Sequence, residues 1–350
     1  MKHTHLLVIT QGIVAFFVIS LVLQQFQALL LPLALAVLLS ILFQPVVHFL
    51  QSKKVPTALS LLAVLSLLGL SIYLLGFLLF ASAGGLINDL PTYEAQFEAI
   101  ITDLFAALVA VIQNVGFQVE DIDIRTALGA TTITAEALSS ALGSFLDYLG
   151  KVALVLLFML FILAGTGTLR TKMYHAYPRL VADRIMTALG DINTQVRRFL
   201  ILKVIIGAVY GVVALLVLWI LGVHYPLFWG FLAFLLSFIP YVGSLLAVGL
   251  PFILSLLQFD TPIRPLLVLL VLGAAFMVMG NVVTPKLMAS SLNLSTLLVL
   301  VAMIFWGLLW GPWGIILAVP LTATLKTIFE NIEVLRPLSL LMRERVDAGD

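Results

Sequence analysis

Long apolar runs alternate with short polar connections along most of this chain. The runs are Leu6 to Leu23, Leu29 to Leu50, Ala58 to Ala83, Val152 to Thr168, Val204 to Leu221, Leu227 to Leu257, Leu266 to Val283 and Leu297 to Leu325. A bilayer core of about 30 Å is crossed by about 20 apolar residues in a helix. The pattern therefore predicts eight membrane segments, all helical, because lipid offers the backbone no hydrogen-bond partner. The first run has no small-residue cleavage site after it, only Gln24-Gln25-Phe26-Gln27, so it is expected to be a retained span rather than a signal peptide. The sixth and eighth runs are long and interrupted by proline and glycine, and either cross or re-enter. The fold class is all-α and polytopic. The chain divides into spans one to three (1–83), an external helical insertion (84–150), span four (151–169), a cytoplasmic amphipathic linker (170–203), spans five to eight (204–326) and a cytoplasmic tail (327–350).

Composition sharpens this picture. Of 350 residues, 62% are hydrophobic and 10% charged, against about a quarter charged in an ordinary soluble domain. A soluble enzyme and a disordered chain are both excluded. The net charge of +1 leaves no basic face for nucleic acid. With no cysteine, disulfides, thiolate metal sites and cysteine nucleophiles drop out together. Lysine and arginine set the orientation. Lys2, Lys53, Lys54, the seven bases from Arg170 to Lys203, and Arg336, Arg343 and Arg345 fit the cytoplasmic side, whereas 84–150 carries nine acids and one base, Arg125. Both termini are then cytoplasmic.

Two stretches leave the bilayer yet keep helical periodicity. In 84–150, Phe97, Ile101, Leu104 and Leu108 recur at three- and four-residue steps. Gly116 should break that helix, and a second should start near Thr134 and run into span four. An external cap packed on the membrane domain is expected. In 179–203, Ile185, Leu189, Ile192, Val196 and Phe199 form an apolar face flanked by arginines. A helix lying along the cytoplasmic interface is expected there.

The two broken runs echo each other. Shifted by 71 residues, Phe234 meets Phe305, Gly243 meets Gly314, Ala247-Val248 meets Ala318-Val319 and Leu250 meets Leu321. Each run follows one plain span. Proline removes a helix donor and glycine permits unwinding. Unwound backbone is tolerated in lipid only when buried in protein or facing a wet cavity. Paired Pro/Gly-interrupted segments are thus a pointer to a transport site. The candidate solute pathway is Pro240, Tyr241, Gly243, Ser244 and Pro251 at the first break, Asn281 and Pro285 on span seven, and Gly311, Pro312, Gly314 and Pro320 at the second. Trp306, Trp310 and Trp313 around the second break have an interfacial aromatic belt as their plain explanation.

Other chemistry is thin. No acid lies inside an apolar run, which disfavours a carboxylate proton relay. The five histidines are scattered. There is no phosphate-binding glycine loop and no nucleophile elbow. Neither a cofactor nor an enzymatic activity is expected.

Three stretches carry a resemblance. Ile239-Pro240-Tyr241-Val242-Gly243 with Pro251, then Asn281-Val282-Val283-Thr284-Pro285-Lys286-Leu287-Met288, then Gly307 through Gly311 and Gly314 to Leu317-Ala318-Val319-Pro320-Leu321 resemble the autoinducer-2 exporter family, the PerM-type permeases. The likeness covers nearly the whole chain. Ser244, Ala289, Asn293 and Ser295-Thr296 depart from it. It implies a multi-pass inner-membrane transporter that is homo-oligomeric, a pentamer among its candidate stoichiometries. It implies export of the furanone quorum-sensing signal for some members and cation/proton exchange for others. Three functions follow as expectations: a permease for a small polar solute, a monovalent cation/proton antiporter, or a non-transporting membrane scaffold.

Overall fold

A computed structural model describes residues 2–114, 135–240, 242–288, 294–332 and 334–343. The described residues contain helices and no strand. They are α1 Lys2–Gln25, α2 Gln27–Ser52, α3 Thr57–Asn114, α4 Ala135–Ala176, α5 Arg179–Ile220, α6 Pro226–Leu236 and α7 Val242–Gln258. Then α8 begins with Ile263–Leu267 and ends with Thr284–Met288, and α9 Thr296–Glu330 and α10 Arg336–Leu341 close the chain. Among the described residues, six stretches are long and apolar enough to cross a membrane: Gln27–Ser52, Thr57–Leu78, Lys151–Ala176, Arg179–Ile220, Ile263–Val283 and Thr296–Glu330. The all-α polytopic reading holds.

Several helices run past the borders the apolar pattern suggests. The helix of span three continues through Pro91 to Asn114, so the insertion begins as an extension of the span rather than after a loop. The predicted start near Thr134 is met by α4, which runs from Ala135 straight through span four. Gly116 lies outside the described residues. The amphipathic 179–203 stretch and span five form one helix of 42 residues. The amphipathic stretch is thus continuous with the span that follows it.

The chain forms two compact units, Met1–Ser71 with Lys151–Ile205 and Val283–Asp350, and Ile72–Gly150 with Ile206–Val282. In the first, Ala36 and Val47 of α2, Leu61 and Val64 of α3, and Val155, Met159 and Leu163 of α4 make a buried cluster. Between membrane helices such side chains gain dispersion contacts rather than escape from water. In the second unit small residues let backbones meet. A Cβ on Gly211 of α5 would lie 2.8 Å from the Gly230 carbonyl oxygen of α6, and one on Gly230 would lie 2.8 Å from that of Gly211.

Both broken runs fold back as hairpins. In the second unit, α6 and α7 are joined by a turn in which Ile239 N–H donates to Leu236 (2.9 Å) and Gly243 N–H donates to Ile239 (3.1 Å). At the other end, the Gln258 carboxamide accepts from His224 N–H (2.8 Å) and donates to the Gly222 carbonyl (2.7 Å). The start of α6 and the end of α7 therefore share one base. In the first unit, α9 kinks at Gly311, whose φ is 63° and ψ −147°. Its arms return side by side: Leu294 before the first arm and Ala323 in the second join one buried cluster, against which Leu298, Val299 and Val319 pack. Both ends reach the same short segment, with Ser295 N–H donating to Met342 (2.9 Å) and Arg343 contacting Glu330 (3.1 Å). The first arm of the first hairpin, 11 residues, is shorter than the about 20 that a crossing takes.

Candidate functional site

At the first tip the helix ends at Leu236 and resumes at Val242. Gly243 is buried, and a Cβ there would run into the Leu236 carbonyl oxygen. Only glycine lets the second arm start this close to the first. Ser237 turns its hydroxyl back onto Phe234 (2.7 Å). Phe234 and Phe238 meet edge to face at 5.5 Å. Pro240 and Ser244 are half-buried, and Pro251 is buried within the second arm. Tyr241 lies outside the described residues.

The second tip uses the same device. Gly314 is buried, and a Cβ there would meet the Trp306 carbonyl oxygen. Gly311 adds a backbone conformation open essentially to glycine alone. Pro312 is exposed and Pro320 buried. Two of the three tryptophans are buried in the protein rather than set in a belt. Trp306 and Trp310 are 7% and 6% exposed. Their rings meet at 5.0 Å, and their indole N–H groups donate to Thr322 Oγ1 (3.4 Å) and to the Leu23 carbonyl of α1 (3.0 Å). At the base, Glu330 receives Lys326 (3.5 Å) and Arg343 (3.1 Å) on one carboxylate oxygen. Lys326 is buried, and burial of an ammonium is tolerable only with such a partner.

Asn281 and Pro285 lie on α8. That helix contains two π-helical turns, Val268–Leu272 and Met279–Val283. Asn281 is in the second of them and exposed. A π-turn shifts backbone partners by one residue and is often retained where function needs the irregularity. Tyr210 of α5 is buried beside it: its ring meets Phe276 at 4.6 Å, and a Cβ on Gly280 would lie 3.4 Å from its hydroxyl.

The structure thus places Pro240, Gly243, Ser244, Pro251 and Asn281 in one unit. Pro285, Gly311, Pro312, Gly314 and Pro320 belong to the other. The apolar pattern treats both breaks as parts of one bundle, whereas the second hairpin shares its unit with α1 and α2 and the first shares its unit with the extension of α3. Sequence reasoning missed Gln258, Tyr210 and Trp229. Trp229, in the first arm of the first hairpin, is 7% exposed and its indole N–H has no partner among the described residues. Gly207 and Gly211 carried a usable signal, the G-x-x-x-G spacing of close membrane-helix contacts. Gln258 carried none, because its partners lie 34 and 36 residues away.

The model of the AI-2E family transporter matches residues 11–333. The AI-2 transport protein TqsA of Escherichia coli is 32% identical over 90% of this chain and 90% of its own length. A Borreliella burgdorferi protein provisionally named a transport protein is 28% identical over 90% of this chain and 85% of its own. YhhT of Escherichia coli, with the same provisional name, is 27% identical over 90% of this chain and 88% of its own.

Proposed function

This chain belongs to the AI-2E family of transporters, and on that premise we propose that it moves a small polar solute across the bacterial cytoplasmic membrane, with AI-2 as the first candidate. It is a multi-pass membrane protein. The observation that carries the proposal is the pair of helical hairpins with unwound tips. Half-helix ends present partial charges and free backbone groups at membrane depth, without an ionised side chain. The unpartnered Trp229 indole adds a buried donor to the first hairpin. By the distribution of lysine and arginine, the span before the first hairpin leaves the cytoplasm, so that hairpin enters from outside. The span before the second returns, so that hairpin enters from the cytoplasm. Similarity to TqsA supports AI-2 as the solute.

Purified protein in liposomes tests this directly. Efflux of labelled AI-2 is the expected result, with Ser244→Ala and Asn281→Ala lowering the rate several-fold while expression and thermal stability hold. A pH-dye response to sodium without AI-2 efflux would replace the solute with a cation. Neither signal would leave a non-transporting scaffold.

A further inference from the structure

The loop Leu221–Tyr225 closes the base of the first hairpin, and it is held from two sides. From inside the hairpin comes Gln258, the last residue of α7. Its carboxamide makes two hydrogen bonds to the loop backbone, at 2.8 Å and 2.7 Å. The orientation of that amide is fixed by chemistry, since His224 N–H only donates and the Gly222 carbonyl only accepts. From outside comes the extension of α3. Tyr225 O–H donates to Asp89 Oδ2, and the Tyr93 hydroxyl bonds His224 Nδ1 at 2.7 Å. Asp89 and Tyr93 are four residues apart and so face the loop from one side of the helix. Gly85, one turn earlier, makes room for the Tyr225 ring: a Cβ there would lie 2.6 Å from Cε1. Tyr225 holds a left-handed backbone, φ 58° and ψ 45°, at the N-cap of α6. A non-glycine residue keeps that conformation only when its surroundings determine it.

We propose that Asp89, Tyr93, Tyr225 and Gln258 are positioning residues of the transport cycle, a clasp that makes the first hairpin and the external extension of α3 move as one piece. The proposal rests on the reading of this hairpin as part of the solute path. Each of the four side chains bonds a residue on another element. Such bonds fix the relative placement of elements; they add nothing to the helices themselves. Burial, and then Asp89, hold the Tyr225 and Tyr93 phenols above their ordinary range, so both remain protonated and able to donate. The external insertion thereby acquires a mechanical role: it is the handle of the first hairpin.

The chain has no cysteine, so a single Val242→Cys at the start of α7, where the side chain is exposed, reports on the tip. The rate of its modification by a membrane-impermeant thiol reagent is measured in liposomes. With the clasp intact the rate is low. Gln258→Leu removes two hydrogen bonds and should raise it on the order of tenfold, and Asp89→Leu or Tyr225→Phe roughly fivefold. Asp89→Asn keeps an acceptor for Tyr225 and should restore the rate to within about twofold of the parent, a rescue that general loosening does not produce. Labelled AI-2 flux in the same vesicles should show a changed maximal rate with an unchanged KM. Equal modification rates in Gln258→Leu, Asp89→Leu and the parent would overturn the clasp, whatever the flux. Absence of AI-2 flux in the parent would overturn the solute assignment and leave the modification test standing. Tyr225→Phe, which keeps the ring on Gly85, decides the matter if the leucine variants fail to fold.

Discussion

The two hairpins solve one steric problem alike and a second one differently. At both tips a glycine starts the returning arm against a backbone carbonyl of the outgoing arm, Gly243 against Leu236 and Gly314 against Trp306. Their bases differ. The first is tied by neutral hydrogen bonds from Gln258. The second is tied by charge, with Lys326 and Arg343 on Glu330. Their tryptophans differ too. Trp306 and Trp310 are partnered, while the Trp229 indole N–H meets no acceptor among the described residues. A repeated motif therefore conserves only what backbone sterics demand, and leaves the polar groups free to diverge. On the proposed function, the first hairpin is the one to meet the solute, and the second is the one anchored by charge.

The comparison breaks most easily at the tips. Gly243→Ala and Gly314→Ala should each cost about 3 kcal/mol, because the clash is with backbone that cannot swing away. Thermal unfolding in detergent, followed by size-exclusion fluorescence, reads this. Tolerance at one site only would show that the tips are not equivalent. Gly311→Ala comes next, at about 2 kcal/mol from backbone strain, with no counterpart among the described residues of the first tip. The tryptophans separate the hairpins further. Trp310→Phe should lose about 1 kcal/mol with its bond to Leu23. Trp229→Phe removes an unsatisfied donor, so stability should hold or rise by up to about 1 kcal/mol, while KM for the transported solute increases. An unchanged KM would deprive the first hairpin of its special status.

The smallest effect concerns pH. Burial and the Asp89 carboxylate raise the Tyr225 pKa, so the folded chain holds that proton more tightly than the unfolded one. Its contribution is then constant below the ordinary tyrosine value of about 10 and declines only at higher pH. Tyrosinate absorbance on alkaline titration should show late-ionising phenols, one of which disappears in Tyr225→Phe. Ionisation at the ordinary value would mean that the clasp contact is open in solution.

Part of this organisation was legible in the chain alone. Apolar runs of the right length dictate membrane helices, because lipid leaves the backbone no other way to satisfy itself. The recurrence of Gly243 at Gly314, with proline nearby, marked both folding-back points, since only these residues interrupt a helix cheaply. What sequence could not decide was whether an interrupted run crosses or returns. That depends on what meets the ends, Gln258 with Gly222 in one case and Arg343 with Glu330 in the other, and such pairs are separated by tens of residues with no periodic signal. The division of the two hairpins between compact units, and the clasp that joins Asp89 and Tyr93 to a loop more than a hundred residues away, likewise belong to tertiary structure. Local pattern fixes which segments are helices, whereas contacts distant in the chain fix which helices travel together.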